Sequence, residues 1–229
     1  MIKKAMILAA GFGKRIHPLT LQTPKPLLKI GEETLLSNTL KFLEKFGVNE
    51  VIINVHYLSD KIIDYINNKK FNLNITIVNE NEKILDTGGG ILNAINYFDE
   101  TFLCINPDTV WNDSYLNELN QMENKFFLSK KKCSILLVNK EKSFDKSLKG
   151  DFDLKNNLVN RKNKNNLKYI YTGLQIIRRE VFADIDKKIF SINMIWDKLI
   201  EKNELLGIES NINFLHVSTL EIYKSLNIK

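Results

Sequence analysis

The residues best suited to chemistry begin in a glycine-rich loop near the N terminus. Residues 11–15 read Gly-Phe-Gly-Lys-Arg and directly follow an apolar run at residues 5–10. Glycines at positions 11 and 13 permit positive φ and close backbone approach, so that amide N–H groups can face a phosphate. Lys14 and Arg15 add positive charge to the same loop. The loop therefore predicts a phosphate site, and it fits neither the dinucleotide fingerprint nor the Walker A pattern.

Two further residues could act on a bound phosphate. Pro24 and Pro26 flank Lys25, and because proline restricts its own backbone and that of the preceding residue, we expect this amine in a fixed place. Asp108 follows another apolar run, residues 101–106. A carboxylate there could hold Mg²⁺, or it could serve only as a helix cap or turn residue.

The hydrophobic pattern predicts the scaffold that brings these residues together. Short apolar runs alternate with amphipathic helical patterns through the first half of the chain. We expect strands at 5–10, 51–55, 74–79, 101–106, 133–139, 169–177 and 212–217. We expect helices at 34–46, 59–68, 90–98, 114–122, 194–203 and 219–226. The alternation predicts an α/β fold in which helices cover both faces of a mostly parallel sheet. Ligands bind such sheets beyond the carboxyl ends of the strands, where the glycine loop and Asp108 lie.

Charge is concentrated in two segments. The chain of 229 residues has 33 Lys and Arg against 27 Asp and Glu, a formal net charge of +6. Residues 1–31 hold six basic and no acidic residues, and residues 139–168 hold nine basic and four acidic ones. The remainder is net negative, so a small polyanion near the N terminus is a better expectation than nucleic acid. An RNA-binding role would depend on residues 139–168 alone.

The pattern also bounds the organisation of the chain. No linker or repeat is evident, so we expect one domain over 1–229, with 139–168 as a surface hairpin or loop insertion. No stretch approaches the roughly 18 apolar residues that cross a bilayer. Cys104 and Cys133 each lie in an apolar run, which is typical of buried free thiols. We therefore expect no membrane partner, a cytoplasmic location, and a monomer or weak homo-oligomer.

Residues 9–28, AAGFGKRIHPLTLQTPKPLL, resemble the signature of the sugar-1-phosphate nucleotidyltransferases, also called nucleoside-diphosphate-sugar pyrophosphorylases. Residues 86–90 are similar to the family's nucleobase-contacting turn, and 106–108 to its metal-binding segment. Nearly the whole chain resembles the short branch that contains N-acetylmuramate-1-phosphate uridylyltransferases. The resemblance implies a three-layer αβα, Rossmann-like nucleotidyltransferase fold with a small β extension. It implies transfer of a nucleoside monophosphate from a nucleoside triphosphate to a sugar 1-phosphate. The resemblance to the uridylyltransferase branch implies that the triphosphate is UTP.

The resemblance also implies roles for single residues. Arg15 and Lys25 would be the catalytic cations, the first on the departing pyrophosphate and the second between the reacting phosphates. Asn106 and Asp151 would contact the sugar phosphate and the sugar, and Asp108 would hold Mg²⁺. The implied nucleotide-binding residues are Ala10, Gly11, Phe12, Gly13, Lys25, Thr87, Gly88 and Gly89.

Two positions depart from the family pattern. The second metal ligand of this branch is an aspartate, where the chain has His216, and Pro107 replaces a glycine. Imidazole is a poor ligand for Mg²⁺ and a good one for transition metals. Three outcomes are open: Mg²⁺ held by Asp108, water and phosphates alone; a preference for Mn²⁺ or another divalent ion; or weakened or lost activity. Rival functions are transfer to mannose, heptose or glucose 1-phosphate with another triphosphate, and a catalytically impaired relative that binds nucleotide or sugar.

Overall fold

The computed structural model describes residues 1–80, 82–162 and 167–228. Its strands are β1 (Lys4–Leu8), β2 (Lys29–Ile30), β3 (Glu33–Thr34), β4 (Glu50–Val55), β5 (Asn74–Asn79), β6 (Thr101–Ile105), β7 (Cys133–Asn139), β8 (Asp153–Lys155), β9 (Leu158–Asn160), β10 (Tyr169–Arg178) and β11 (Leu205–Ser210). Its α-helices are α1 (Leu35–Phe46), α2 (Ser59–Asn67), α3 (Asp86–Asn93), α4 (Ser114–Ser129), α5 (Asn193–Glu201) and α6 (Leu220–Asn227). None of these described helices has the length and apolar character needed to cross a membrane.

One mixed sheet organises the fold. In the described ranges it has nine strands, in the order β5-β4-β1-β6-β10-β7-β11-β9-β8. The pairs β1–β4, β1–β6, β4–β5 and β7–β11 are parallel. Strand β10 runs antiparallel to β6 and β7, and β9 runs antiparallel to β8 and β11. All strands of this sheet except β9 and β10 therefore point the same way, which confirms the mixed, mostly parallel sheet.

Helices cover both faces of the sheet. On one face, α1 and α4 contribute Leu40 and Leu119 to an apolar cluster, while on the other α5 contributes Trp196 to a second cluster. Adjacent residues of β1 point to opposite faces, since Ile7 belongs to the first cluster and Met6 to the second. A sheet buried on both faces needs apolar residues at consecutive positions, which explains the unbroken apolar runs in the sequence. The three-layer αβα architecture is confirmed.

The strand predicted at 212–217 is wrong, and the structure has a strand that sequence reasoning missed. Residues 212–217 form only isolated bridges, Phe214 with Ser143 and His216 with Thr109. The last strand of the sheet is instead β11, which pairs in parallel with β7 along its full length. Both segments are short apolar runs, so their hydrophobic pattern cannot tell which one joins the sheet.

The helix predicted at 90–98 begins earlier than expected. Helix α3 starts at Asp86, and a 3₁₀ turn follows it at Ile95–Tyr97. The three consecutive glycines at 88–90 therefore lie inside a helix, although glycine disfavours helix interiors. A Cβ at Gly89 would lie 2.2 Å from the carbonyl oxygen of Lys188. Tertiary packing overrides local propensity here, because only glycine lets α3 approach the 188–190 segment so closely.

The basic segment 139–168 contains a short hairpin. Strands β8 and β9 pair antiparallel around a two-residue turn in which Asn156 and Asn157 have φ values of 53° and 59°. Asparagine adopts this left-handed conformation more readily than most residues do. Leu158 of β9 pairs with Leu206 of β11, so the hairpin extends one edge of the main sheet. Residues 163–166 of this predicted insertion lie outside the described residues.

Candidate active site

A cavity of about 430 Å³ opens at the carboxyl ends of the parallel strands. Leu8, Asn54, Glu80 and Asn106 lie at or just beyond the ends of β1, β4, β5 and β6, and all four line the cavity. The predicted site residues that line it are Ala10, Gly11, Phe12, Gly13, Arg15, Lys25, Thr87, Asn106 and Asp108. The fold therefore brings together most of the candidates that the sequence singled out.

The loop after β1 leaves its amide groups open to the cavity. Gly13 has a φ of 65°, and its carbonyl oxygen accepts hydrogen bonds from the Ile16 N–H and the Thr20 hydroxyl, each at 2.9 Å. Within the described ranges, no protein acceptor pairs with the N–H groups of Gly11, Phe12 or Gly13. Free amides in a glycine turn are suited to an anion.

The side chain of Phe12 anchors this loop to the end of β4. Its ring centroid lies 5.7 Å from that of His56 and 5.5 Å from that of Tyr57. The Lys14 ammonium lies 5.2 Å from the centre of the same ring. The aromatic contacts hold the backbone of the loop in place, so that the free amides need little reorganisation when an anion binds.

Two cations flank the open amides. Arg15 is exposed, and no described residue pairs with its guanidinium. Lys25 begins a 3₁₀ turn directly after Pro24, with Pro26 as its second residue. A Cβ at Gly13 would lie 3.3 Å from the Lys25 Cβ, so the lysine packs directly against the glycine loop. This packing agrees with the expectation that the flanking prolines hold Lys25 in a fixed place.

Asp108 lies between two basic side chains. Its Oδ2 is 2.5 Å from Lys25 Nζ and 3.1 Å from His216 Nε2. Burial by itself would raise the pKa of Asp108, but the Lys25 ammonium and the His216 imidazole together hold that pKa well below its usual range. The Asp108 carboxylate is therefore ionised, and Lys25 is held beside it on the cavity wall.

The path of residues 212–217 explains why His216 reaches Asp108. The Val110 N–H donates to the carbonyl oxygen of Leu215 at 2.8 Å, and the Val217 N–H donates to that of Asp108 at 2.9 Å. The segment thus runs beside the loop that follows β6. The His216 ring stacks on Phe214 with ring centroids 5.5 Å apart.

Asp108 retains one carboxylate oxygen that could contact a divalent cation. None of the described residues donates a hydrogen bond to Asp108 Oδ1, and Mg²⁺ is commonly held by one or two carboxylates together with phosphate oxygens. Within the described chain, no group of three or more His, Cys, Asp and Glu side chains could hold a metal ion. His216 Nδ1 is buried without a hydrogen-bond partner there. A cation at this place would therefore depend on Asp108 and on substrate phosphates.

A second cavity of about 250 Å³ adjoins the first and contains Asp151. Thr87 and Asn106 line both cavities. Asp151 Oδ2 accepts a hydrogen bond from the Tyr171 N–H at 2.9 Å, and Trp196 forms part of the wall. Aromatic surface with a few fixed polar groups is typical of a small-molecule site.

Gly88 and Gly89, predicted to contact the nucleobase, do not line either cavity in the described chain. The Gly89 N–H donates to the carbonyl oxygen of Phe190 at 3.0 Å, and a Cβ at Gly88 would lie 2.3 Å from the Phe190 ring. Of the predicted turn, only Asp86 and Thr87 face the cavities. The packing requirement accounts for both glycines, and a direct nucleobase contact by them stays a prediction.

Replacing Gly89 with alanine is expected to destabilise the fold. The new methyl group would meet the Lys188 backbone oxygen, and overpacking of this kind costs about 1–3 kcal/mol. Urea unfolding measures the change. Gly11→Ala is the matched control, because a Cβ there would meet no atom within 4 Å, and it should unfold as the wild type does. Wild-type stability of Gly89→Ala together with weakened nucleotide binding would contradict the packing role.

Comparison with known proteins agrees with the geometry of the site. Residues 4–144 match the family model described as nucleotidyl transferase. This match covers more than half of the chain and includes the glycine loop, Lys25 and Asp108. The chain belongs to the nucleotidyl transferase family. The resemblance carried by residues 9–28 and the enzyme class that it implies are confirmed.

Relatives of this nucleotidyltransferase are similar over most of its length. An N-acetylmuramate alpha-1-phosphate uridylyltransferase from Caulobacter vibrioides is 27% identical over 221 residues, which cover 94% of this chain and 91% of the relative. A bifunctional protein GlmU from Methanococcus maripaludis is 30% identical over 215 residues, which cover 90% of this chain but 49% of that protein. This chain thus matches only about half of the bifunctional relative.

A solved structure confirms the fold of the nucleotidyltransferase. The crystal structure of HddC from Yersinia pseudotuberculosis aligns with a TM-score of 0.78 and covers 99% of each chain at 24% sequence identity. Likeness at this level of identity shows a shared architecture.

Several polar residues at the cavities of the nucleotidyltransferase were missed by sequence reasoning, among them Asn54, Glu80 and Arg161. Asn54 and Glu80 line the first cavity, and Arg161 lines the second with its guanidinium 4.2 Å from the centre of the Phe152 ring. A signal for Asn54 was present, because it is the polar residue in the otherwise apolar run 51–55. Arg161 gave no signal, since it lies in a polar segment without periodicity.

Proposed function

We propose that this nucleotidyltransferase transfers uridine monophosphate from UTP to a sugar 1-phosphate, with N-acetylmuramate 1-phosphate as the sugar substrate. A phosphate oxygen of the sugar 1-phosphate attacks the α-phosphorus of UTP. The bond from that phosphorus to the β-phosphate oxygen breaks, and pyrophosphate leaves. The observation that carries the proposal is the convergence of the free loop amides, Arg15, Lys25 and Asp108 on one cavity.

The charges of the cavity suit this reaction. Both substrates are polyanions, so their mutual repulsion and the charge that builds on the leaving group are the main obstacles to transfer. In the proposal, the amides of residues 11–13 bind the β- and γ-phosphates, and Arg15 neutralises the departing pyrophosphate. Lys25 bridges the two reacting phosphates. No protein base is needed, because the attacking phosphate is already ionised.

A metal site at Asp108 completes the proposed assignment. A divalent cation bound there would supply further neutralisation of phosphate charge. The role of the protein is to keep the Asp108 carboxylate ionised between Lys25 and His216, at 2.5 Å and 3.1 Å. Whether the ion is Mg²⁺ or Mn²⁺ is decided by measurement of turnover with each metal.

The choice of sugar and base is supported by a relative of similar length. The C. vibrioides relative, named N-acetylmuramate alpha-1-phosphate uridylyltransferase, has 91% of its length matched by this chain. In the proposal the sugar occupies the second cavity near Asp151, with Asn106 between the sugar and its phosphate. The cytoplasmic location expected from the sequence stays part of the proposal.

A catalytically impaired relative is the second candidate. Two observations favour it. Asp108 is already paired with both Lys25 and His216, and position 216 is a histidine where the family pattern has a second aspartate. Such a protein would bind a nucleotide or sugar phosphate but release no pyrophosphate.

A two-step experiment separates these candidates. A thermal-shift screen of the four nucleoside triphosphates against several sugar 1-phosphates identifies the ligands that stabilise the chain. Pyrophosphate release is then measured with Mg²⁺ and with Mn²⁺. Release that requires both UTP and N-acetylmuramate 1-phosphate supports the full proposal. Release with another pair corrects the substrates, and stabilisation without release under any condition supports the impaired relative.

A further inference from the structure

A buried chain of hydrogen bonds connects the two sides of the first cavity. The Ala9 N–H, at the start of the glycine loop, donates to Asn54 Oδ1 at 2.9 Å. Asn54 Nδ2 donates to Glu80 Oε1 at 2.6 Å, and Glu80 Oε2 accepts from the Leu85 N–H at 2.7 Å. Leu85 directly precedes α3, so the chain of bonds reaches from the phosphate loop to Asp86 and Thr87 on the opposite wall.

The two side chains in the middle are almost inaccessible. Asn54 is 2% exposed and Glu80 is 6% exposed. Burial of an ionisable carboxylate costs free energy unless its oxygens are hydrogen-bonded. Both Glu80 oxygens have such partners. A Cβ at Gly90 would lie 2.7 Å from Asn54 Nδ2 and from Glu80 Oε1, so α3 packs directly on the pair.

The backbone fixes the direction of every hydrogen bond in this chain. Its two ends are the N–H groups of Ala9 and Leu85, which can only donate. Asn54 must therefore turn its oxygen toward Ala9 and its NH₂ group toward Glu80. Residue 80 must then accept at both of its polar atoms, and among side chains of this length only an ionised carboxylate does so. An amide at position 80 would set two donors against each other.

We infer that Asn54 and Glu80 are positioning residues. They hold the glycine loop and the N terminus of α3 in a fixed relative position for binding of the triphosphate. This inference deepens the proposed function and depends on it for its kinetic consequence. The pair joins the ends of β1, β4 and β5 to α3, which are the elements that frame the nucleotide side of the cavity. The sugar side, with Asp151, has no member in this chain of bonds.

A charge-swap series tests the inference. In Glu80→Gln, the amide NH₂ group introduced at position 80 must face another donor, either the Asn54 NH₂ group or the Leu85 N–H. Asn54→Asp places two carboxylates at a contact that is 2.6 Å long in the wild type. The double variant restores the directions, because the carboxylate introduced at position 54 accepts from the Ala9 N–H and from the amide introduced at position 80. The oxygen of that amide in turn accepts from the Leu85 N–H. Glu82→Gln is the matched control, since Glu82 is exposed and has no partner among the described residues.

The first readout is hydrogen exchange at the Ala9 and Leu85 amides, which needs no substrate. Each single variant should speed exchange at both amides at least about tenfold, with distant core amides unchanged. The double variant should return to within about threefold of the wild type. Exchange at wild-type rates in Glu80→Gln, or a double variant no better than the worse single one, would overturn the inference.

The second readout is steady-state kinetics. Glu80→Gln should raise KM for the triphosphate at least about fivefold, while KM for the sugar 1-phosphate stays within about twofold. A purely structural role would lower the active fraction, and thus kcat, without this change in KM, and that result would also overturn the inference. If the wild type shows no turnover, the proposed function fails, and the exchange measurement still decides the role of the pair.

Discussion

Replacing Lys25 with alanine should lower kcat about a hundredfold, or about 2.7 kcal/mol, the effect typical of losing one preorganised charge-stabilising donor. Pro24 and Pro26 fix the backbone around Lys25, which packs against the glycine loop beside Asp108. Among the described lysine and arginine side chains, Lys25 is the one that pairs with Asp108, so we expect no other lysine or arginine to replace its charge at that place. Pyrophosphate release at saturating substrates measures the effect.

The control for this variant is Lys29→Ala. Lys29 lies four residues further along the chain and is exposed, so its removal changes the net charge equally without touching the cavity. It should keep wild-type turnover. A Lys25→Ala protein with kcat within about threefold of the wild type, and with an intact fold by circular dichroism, would show that the site is misplaced.

Replacing Asp108 with alanine should separate binding from turnover. The change leaves Lys25 and His216 without the carboxylate that both contact. Affinity for the triphosphate in the absence of divalent ions should therefore stay the same or increase, since a negative charge has left the site. Turnover with Mg²⁺ should fall at least about tenfold, or about 1.4 kcal/mol. Calorimetry in EDTA and pyrophosphate release measure the two effects.

Asp113→Ala is the matched control for the second variant. Asp113 precedes α4, and its carboxylate forms an exposed ion pair with Lys45, of a kind that contributes little to stability. It should match the wild type in both assays. Equal losses of binding and turnover in Asp108→Ala would argue for a purely structural carboxylate, and unchanged turnover would exclude Asp108 from the reaction.

Local chemistry made the phosphate side of the site predictable. The apolar run at 5–10 indicates a strand, the glycines at 11 and 13 permit a tight turn, and the prolines restrict the backbone around Lys25. Each of these signals is carried by a short stretch of sequence. The carboxyl-end rule for parallel sheets then places Asp108 near them. These predictions needed only the sequence pattern and the order of the strands.

The features that depend on distant packing could not be predicted in the same way. Residues 212–217 look like a strand, but they run beside the loop after β6 and bring His216 to Asp108. The three glycines look like a loop before a helix, but Phe190 and Lys188 pack where side chains would stand. Nothing local to Asn54 or Glu80 reveals that each completes the hydrogen bonds of the other.

The fold places basic side chains from both positively charged segments at the two cavities. The basic segment 1–31 supplies Arg15 and Lys25 to the first cavity. The basic segment 139–168 supplies Arg161 to the second cavity, where its Nη1 also pairs with Asp197 Oδ1 at 2.9 Å. Both positive segments therefore contribute basic side chains to the two adjoining cavities, which agrees with small anionic substrates.

The most direct test of the central claim is a ³¹P NMR time course of the wild-type protein with UTP, N-acetylmuramate 1-phosphate and Mg²⁺. The sugar 1-phosphate and triphosphate resonances should decline together while a nucleoside-diphosphate-sugar and pyrophosphate grow in equal amounts. Omission of either substrate should abolish both products. Absence of pyrophosphate with every triphosphate, sugar 1-phosphate and divalent metal tried would contradict nucleotidyl transfer in this cavity.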